Sequence, residues 1–149
     1  MTVSSVPFHY VDLRAFCYAT EDPKRVETVL RTFLPEECPI ERAESEGHHG
    51  DRILVLSARV ENADGIRTVL SAIAGAETID RILDELDERV DDNCALYVAF
   101  DKQAAYRGEV ELGAGLTLRA KVEAYPADRE RAVANARESI RDLIGTDGA

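Results

Sequence analysis

Between Asp101 and Gly108 the chain sets a cation, a side-chain amide, an aromatic ring and an arginine within eight residues, Asp101-Lys102-Gln103-Ala104-Ala105-Tyr106-Arg107-Gly108. Those residue types suit a polynucleotide. A base can stack on Tyr106, Lys102 and Arg107 can bind phosphate oxygens, and the amide of Gln103 can read a base edge. Gly108 lets a backbone approach closely. The plainer expectation for the same residues is a helical turn bridging two strands, with Tyr106 closing the core. A second cluster follows, in which Thr117, Arg119, Lys121 and Glu123 alternate with Leu116, Leu118, Ala120 and Val122. On a strand, Arg119 and Lys121 would stand about 7 Å apart on one side, close to a backbone phosphate spacing. A solvated face of an edge strand would show the same pattern.

Gly47-His48-His49-Gly50 invites a metal. Adjacent histidines in a loop do not readily share one ion, and no Cys or third His stands at ligand spacing. A turn is expected here, with imidazoles that add to the rim of a binding surface. There is no Ser/His/Asp or Cys/His logic and no phosphate loop. Asp91 with Asp101 could hold magnesium for nuclease chemistry, but nothing compels that assignment. The expectation is a protein without catalytic residues, cofactor or metal.

Charge limits where a polyanion could dock. The formal net charge is −11, and residues 36–92 hold sixteen acidic against six basic side chains. Residues 93–141 hold seven against eight, so this stretch is spared the acidic excess. A chain this acidic repels polyanions unless one face is spared, and the cations of the last third are expected to gather into that face. Fifteen of the eighteen basic residues are Arg and three are Lys. Acid excess with scarce lysine suits a salt-rich cytosol; a GC-rich coding bias would also favour Arg over Lys. The N-terminus shows no basic cluster followed by an apolar run, and no apolar stretch reaches membrane-span length. A cytoplasmic protein is expected. Cys17, Cys38 and Cys94 match neither a zinc ribbon nor a CxxC pair, so buried structural thiols are expected at Cys17 and Cys94.

Periodicity places these clusters on elements. Val6 to Tyr18 alternates as a strand, with Leu13, Ala15 and Cys17 on one side and Asp12 and Arg14 on the other. Thr20 is expected to cap a helix carrying Val26, Val29, Leu30 and Phe33 inward. Pro39–Glu46 and Arg52–Glu61 form a hairpin, the second strand apolar on both faces. Helices follow from Asn62 or Asp64 to Gly75 and from Thr78 to Val90. Cys94–Asp101, Glu109–Leu112 and Leu116–Tyr125 are predicted strands, and Pro126 opens a last helix to Leu143 whose arginines form a solvated face. The order β-α-β-β-α-α-β-β-β-α indicates one α+β domain, a mostly antiparallel sheet with helices on one face and frayed tails at 1–5 and 145–149.

Five short segments share a further likeness: Ala19-Thr20-Glu21-Asp22, Glu46-Gly47-His48-His49-Gly50, Glu88-Arg89-Val90-Asp91-Asp92, Asp101-Lys102-Gln103 with Tyr106 and Gly108, and Tyr125-Pro126-Ala127 with Arg129-Glu130. They resemble an archaeal family of predicted RNA-binding proteins associated with the exosome, formerly a domain of unknown function. The resemblance covers nearly the whole chain. It implies a fold similar to the large-subunit ribosomal protein that contacts 5S ribosomal RNA, often a homodimer. It also implies a role in RNA processing, from genomic association with exosome and RNase P genes. No catalytic residues carry over, and this chain is more acidic and poorer in Lys than the family pattern. The expected function is a non-catalytic RNA-binding accessory protein with exosome or ribosome-related partners. Its RNA contacts would be Lys102, Gln103, Tyr106, Arg107, Arg119 and Lys121, with His48 and His49 at the rim. The competing expectation is a protein–protein or dimeric assembly module that uses the surface around Tyr106 and Tyr125.

Overall fold

A computed structural model describes residues 7–46, 52–75, 77–125 and 128–147. In β1 (Phe8–Cys17) Val11, Leu13, Ala15 and Cys17 are buried, while Asp12, Arg14 and Phe16 point the other way. Successive side chains on a pleated strand face opposite sides, so this alternation commits one side to the core. The same holds in β5 (Gly115–Val122), where Leu116, Leu118, Ala120 and Val122 are buried. With β2 (Glu41–Glu46), β3 (Arg52–Val60) and β4 (Ala95–Asp101) they form a five-stranded sheet in the order β2-β3-β1-β5-β4. Every neighbouring pair is antiparallel.

The helices are α1 (Pro23–Phe33), α2 (Ala63–Ala74), α3 (Ile79–Asp84), α4 (Leu86–Arg89), α5 (Lys102–Tyr106) and α6 (Arg129–Asp147). α1 and α2 pack on β1, α4 on β4, and α6 on β5 and α2. Their apolar stripes (Val26, Val29, Leu30 and Phe33 on α1; Ile66, Val69, Leu70 and Ile73 on α2) meet the buried side of the sheet. Phe33 and Phe100 sit with ring centroids 5.6 Å apart in the middle of this layer. Burying each such side chain stabilises the fold by about 1.5–3 kcal/mol relative to leaving it exposed. The opposite side of the sheet stays open, with Phe16 37% and Tyr97 40% exposed. The fold is α+β, as the pattern of strand runs indicates. Cys17 and Cys94 are buried and Cys38 is half-buried, all three as free thiols.

Several elements differ from the sequence expectation, each for a local reason. α1 is capped by Asp22, whose carboxylate accepts from the Lys24 N–H, two residues later than Thr20. The helix expected over Thr78–Val90 breaks at Glu85, and Val90 leaves it to bridge Leu96 on β4. α5 agrees with the helical turn that is the plainer expectation for residues 101–108. Asp101 caps it, accepting from the N–H groups of Gln103 and Ala104. Glu109–Leu112 does not form a strand. The chain wraps round the end of β4, giving one bridge, Leu112 to Phe100, with the Asp101 N–H donating to Glu111 and the Gly113 N–H to Ala99. The last helix runs on past Leu143 to Asp147. The His48-His49 turn lies outside the described residues.

Gly115, where the wrap enters β5, has φ +105°, and a Cβ there would stand 2.7 Å from the Cβ of Lys102. Gly115→Ala is expected to destabilise the fold by roughly 1–3 kcal/mol, through both the left-handed backbone and the contact. Urea denaturation of the two proteins side by side measures it; an unchanged midpoint would contradict this account of the turn.

Candidate nucleic-acid interface

Residues opposite one another on antiparallel strands share a face, so the register defines rows across the open side of the sheet. Asp12 on β1 lies opposite Arg59 on β3 and Arg119 on β5, and Arg119 lies opposite Tyr97 on β4. Arg59 donates to both carboxylate oxygens of Asp12, at 2.7 and 2.9 Å. Arg119 donates to the hydroxyl of Tyr97 at 2.9 Å and to that of Tyr10 at 2.8 Å. The Arg59 guanidinium also sits 3.9 Å from the Tyr10 ring centroid. The Asp12 hydrogen bond raises Arg59 above its already high pKa, and the Tyr97 hydroxyl does the same for Arg119, so both stay charged at any working pH. The row thus sets two guanidinium groups beside the rings of Tyr10 and Tyr97, held by one carboxylate and two phenols.

Arg14 and Lys121 lengthen the row on either side. Arg14 is exposed on β1 and borders a groove of about 310 Å³ shared with Asp12, Glu41, Ser57 and Arg59. Lys121 lies opposite Tyr10, and its ammonium donates to the backbone carbonyl of Asn93. Four cations and the exposed rings of Phe16 and Tyr97 therefore share a face with Asp12 and, at the β2 rim, Glu41. Phosphate-binding guanidinium groups beside flat rings can hold an extended polynucleotide by charge and by stacking together.

The expected contact set splits in two. Arg119 and Lys121 lie on the open face, where Tyr10, Arg14, Arg59 and Tyr97 join them, four residues absent from the expected contact set. Period-two alternation was the available signal, since Arg14 faces away from Leu13 and Arg59 from Ala58. Lys102, Gln103, Tyr106 and Arg107 are on or beside α5, which packs against α1 in the helical layer. The cations of the last third do not form one patch; the open face draws on β1, β3 and β5.

Lys102 requires a correction. It is 4% exposed, and its ammonium donates to Glu21 at 2.7 Å and to the Phe16 carbonyl at 2.6 Å. A buried cation so engaged joins α5 to the β1–α1 turn and offers nothing to a ligand. Tyr106 donates to the other Glu21 oxygen at 3.1 Å, and Arg25 stacks 4.9 Å from its ring centroid. Burial first, then the bond to Glu21, pushes the Tyr106 phenol up to about 12. Arg107 is exposed, paired with Glu109 at 3.0 Å and close to Glu111; Gln103 is exposed near the start of α5. Tyr106 and Tyr125 do not share a surface, being near opposite ends of β5, whose eight residues span about 23 Å.

Asp91 and Asp101 flank β4 at opposite ends, about 20 Å apart along its seven residues, too far for one ion. Each is used by the backbone: Asp91 accepts from the Asn93 and Ala95 N–H groups, and Asp101 caps α5. Among the described residues no group of three His, Cys, Asp or Glu could hold a metal, and no helix is long and apolar enough to cross a membrane.

The family model described as RNA binding matches residues 10–123, from Tyr10 on β1 through the end of β5. The chain belongs to this RNA-binding family. It is 36% identical over 141 residues to the RNA-binding protein PAB1135 of Pyrococcus abyssi, covering 87% of this chain and 92% of that one. A solved DUF54 protein from Methanothermobacter thermautotrophicus superposes with a TM-score of 0.78 at 36% identity, over 89% of this chain and 98% of the other. A DUF54 protein from Sulfolobus solfataricus, 20% identical, shares the fold with a TM-score of 0.67 over 93% of this chain and 98% of that one. The match to the RNA-binding family spans the sheet and every residue of the guanidinium–aromatic row.

The Glu21–Lys102 pair makes stability depend on pH. Burial opposes ionisation of Glu21, but hydrogen bonds from Lys102, the Tyr18 N–H and Tyr106 outweigh it and hold the carboxyl below its ordinary 4.5. A carboxyl depressed in the folded state adds stability that is complete above the unfolded value and is lost as pH falls through the folded one. Thermal melting on acidification below 4.5 should show this loss in the wild type and a shallower loss in Glu21→Gln. Lys102→Ala leaves the Glu21 carboxylate buried without its cation and is expected to cost about 3–5 kcal/mol. Equal acid slopes for wild type and Glu21→Gln would remove the pair from this role.

Proposed function

We propose that the chain binds single-stranded RNA on the open face of its sheet. The cross-strand row of Arg59, Asp12, Arg119 and Tyr97, with the Tyr10 ring beside it, carries this reading. It sets charge and stacking surface side by side on an otherwise strongly acidic protein. Bases stack on Tyr97 and Phe16, while phosphates meet Arg14, Arg59, Arg119 and Lys121. Unpaired bases are required, because a duplex keeps its bases stacked on each other and out of reach of the exposed rings. In a salt-rich cytosol, which the Asp/Glu excess favours, screening acts within about 3 Å at 1 M, so short contacts must supply the affinity. The row is built for contact. Gln103 and Arg107 lie outside it, and Lys102 and Tyr106 support it only by anchoring the end of β1.

Among the described residues no constellation on this face is arranged for bond-breaking, and an accessory role fits the row. We infer that the protein holds RNA for a processing or degrading assembly, with exosome or ribosome-related proteins as partners. Its resemblance to the exosome-associated family supports this; the name of its Pyrococcus relative supports RNA binding alone.

Filter retention of a labelled single-stranded RNA over a salt series tests the reading. Tyr97→Ala and Arg119→Ala are each expected to weaken binding by about 1–3 kcal/mol, or roughly 5- to 150-fold. Loss of one phosphate contact at Arg119 should also flatten the slope of log affinity against log salt by about 0.7. Arg107→Ala, on the helical side and paired with Glu109, should change little. Wild-type retention by Arg119→Ala would remove the open face from the proposal.

A further inference from the structure

Where β5 ends, a groove of about 520 Å³ opens between the start of β1 and α6, lined by His9, Glu123, Tyr125, Arg131 and Asn135 among others. Tyr125 is 95% exposed, so its ring adds nothing to the core. The Arg131 guanidinium has no ion pair among the described residues, although its backbone N–H is held by Asp128. Asn135 donates to the Glu123 carbonyl, which fixes the amide and leaves its own oxygen as an acceptor. An exposed ring, a guanidinium with no ion pair among the described residues, an imidazole and a positioned amide thus line one groove. Together they are the set that takes a base and its phosphate.

The groove adjoins the end of β5 that carries Lys121. Arg119, Lys121 and Glu123 follow along β5 and its exit at steps of about 7 Å, comparable to the reach of one nucleotide, and the Glu123 N–H is tied to Pro7 at the start of β1. We propose that this groove is a separate nucleotide subsite, in which an unpaired base stacks on Tyr125 while its phosphate meets Arg131 and His9. Glu123 repels phosphate from its wall, which orients the base toward Asn135. The subsite rests on the RNA reading above and adds one position beyond the residues matched to the family, which end at Glu123.

The sequence contains no tryptophan, so Tyr125→Trp introduces a unique reporter at a position where the added bulk faces solvent. Titration with a ten-nucleotide oligoadenylate is expected to quench its emission, saturating where filter retention of the same RNA saturates. Adding Arg131→Ala should shift both curves to about five- to tenfold higher RNA concentration. Unchanged emission, with retention still sensitive to Arg119→Ala, would overturn the subsite and leave the sheet reading standing. Retention lost altogether in the wild type would overturn both. Emission that varies with protein concentration in the absence of RNA would make the groove a contact between copies and overturn the subsite.

Discussion

Leu13 lies opposite Leu118, and Asp12 opposite Arg119, in the pairing of β1 with β5. That register sets the core and the open face at once. Because side chains alternate with period two, a slip of one residue would turn Leu13 and Ala15 to solvent and drive Asp12 and Arg14 under the helices. Burial of the apolar set therefore selects the alignment in which Arg59, Asp12, Arg119 and Tyr97 form a row. The row needs no separate device to assemble it. β1, central in the sheet and paired on both sides, carries most of that information.

Charge is handled in two ways in this molecule. On the open face the guanidinium groups are oriented by phenols and by one carboxylate, which position them while leaving net positive charge. Toward the helical layer several cations are paired with carboxylates: Lys102 with Glu21, Arg42 on β2 with Glu27, and Arg81 and Arg89 with Glu85. The exposed pairs among these contribute little to stability. The Lys102–Glu21 pair differs because it is buried and shared by β1, α1 and α5, so its geometry ties three elements to one another. Desolvation makes such pairs costly to build and more costly to break.

Strong periodicity made most of the fold legible from sequence. The alternation of β1 and β5 and the apolar stripes of α1 and α2 agree with the structure because burial alone dictates them. Failures cluster where a backbone contact decides. Glu109–Leu112 has strand-like residues, but Gly113 and Gly115 bring the chain against Asp101 and Lys102 and turn it round the end of β4. At the interface, proximity in sequence misled. Lys102, Tyr106 and Arg107 are neighbours along the chain, yet the first two are drawn inward by Glu21, which precedes them by 81 and 85 residues. Arg14 and Arg59 lie far from Arg119 in sequence and come beside it only through the sheet order. Nothing local marks Lys102 as buried; its partner is visible only after β1 and α5 have met.

The two outer strands of the sheet end differently. β4 is shielded along its free side by bridges from Val90 and Leu112. β2, at the other margin, carries Glu41 and Glu44, and it pairs with β3 alone among the described residues. An unpaired strand is a template on which further chains can add, and acidic side chains blunt it. Growth of a continuous ribbon from copy to copy is thus blocked at one margin by bonded chain and discouraged at the other by repulsion. At the high protein concentrations of a crowded cell, both margins thus resist the edge-to-edge addition of further copies that leads to fibres.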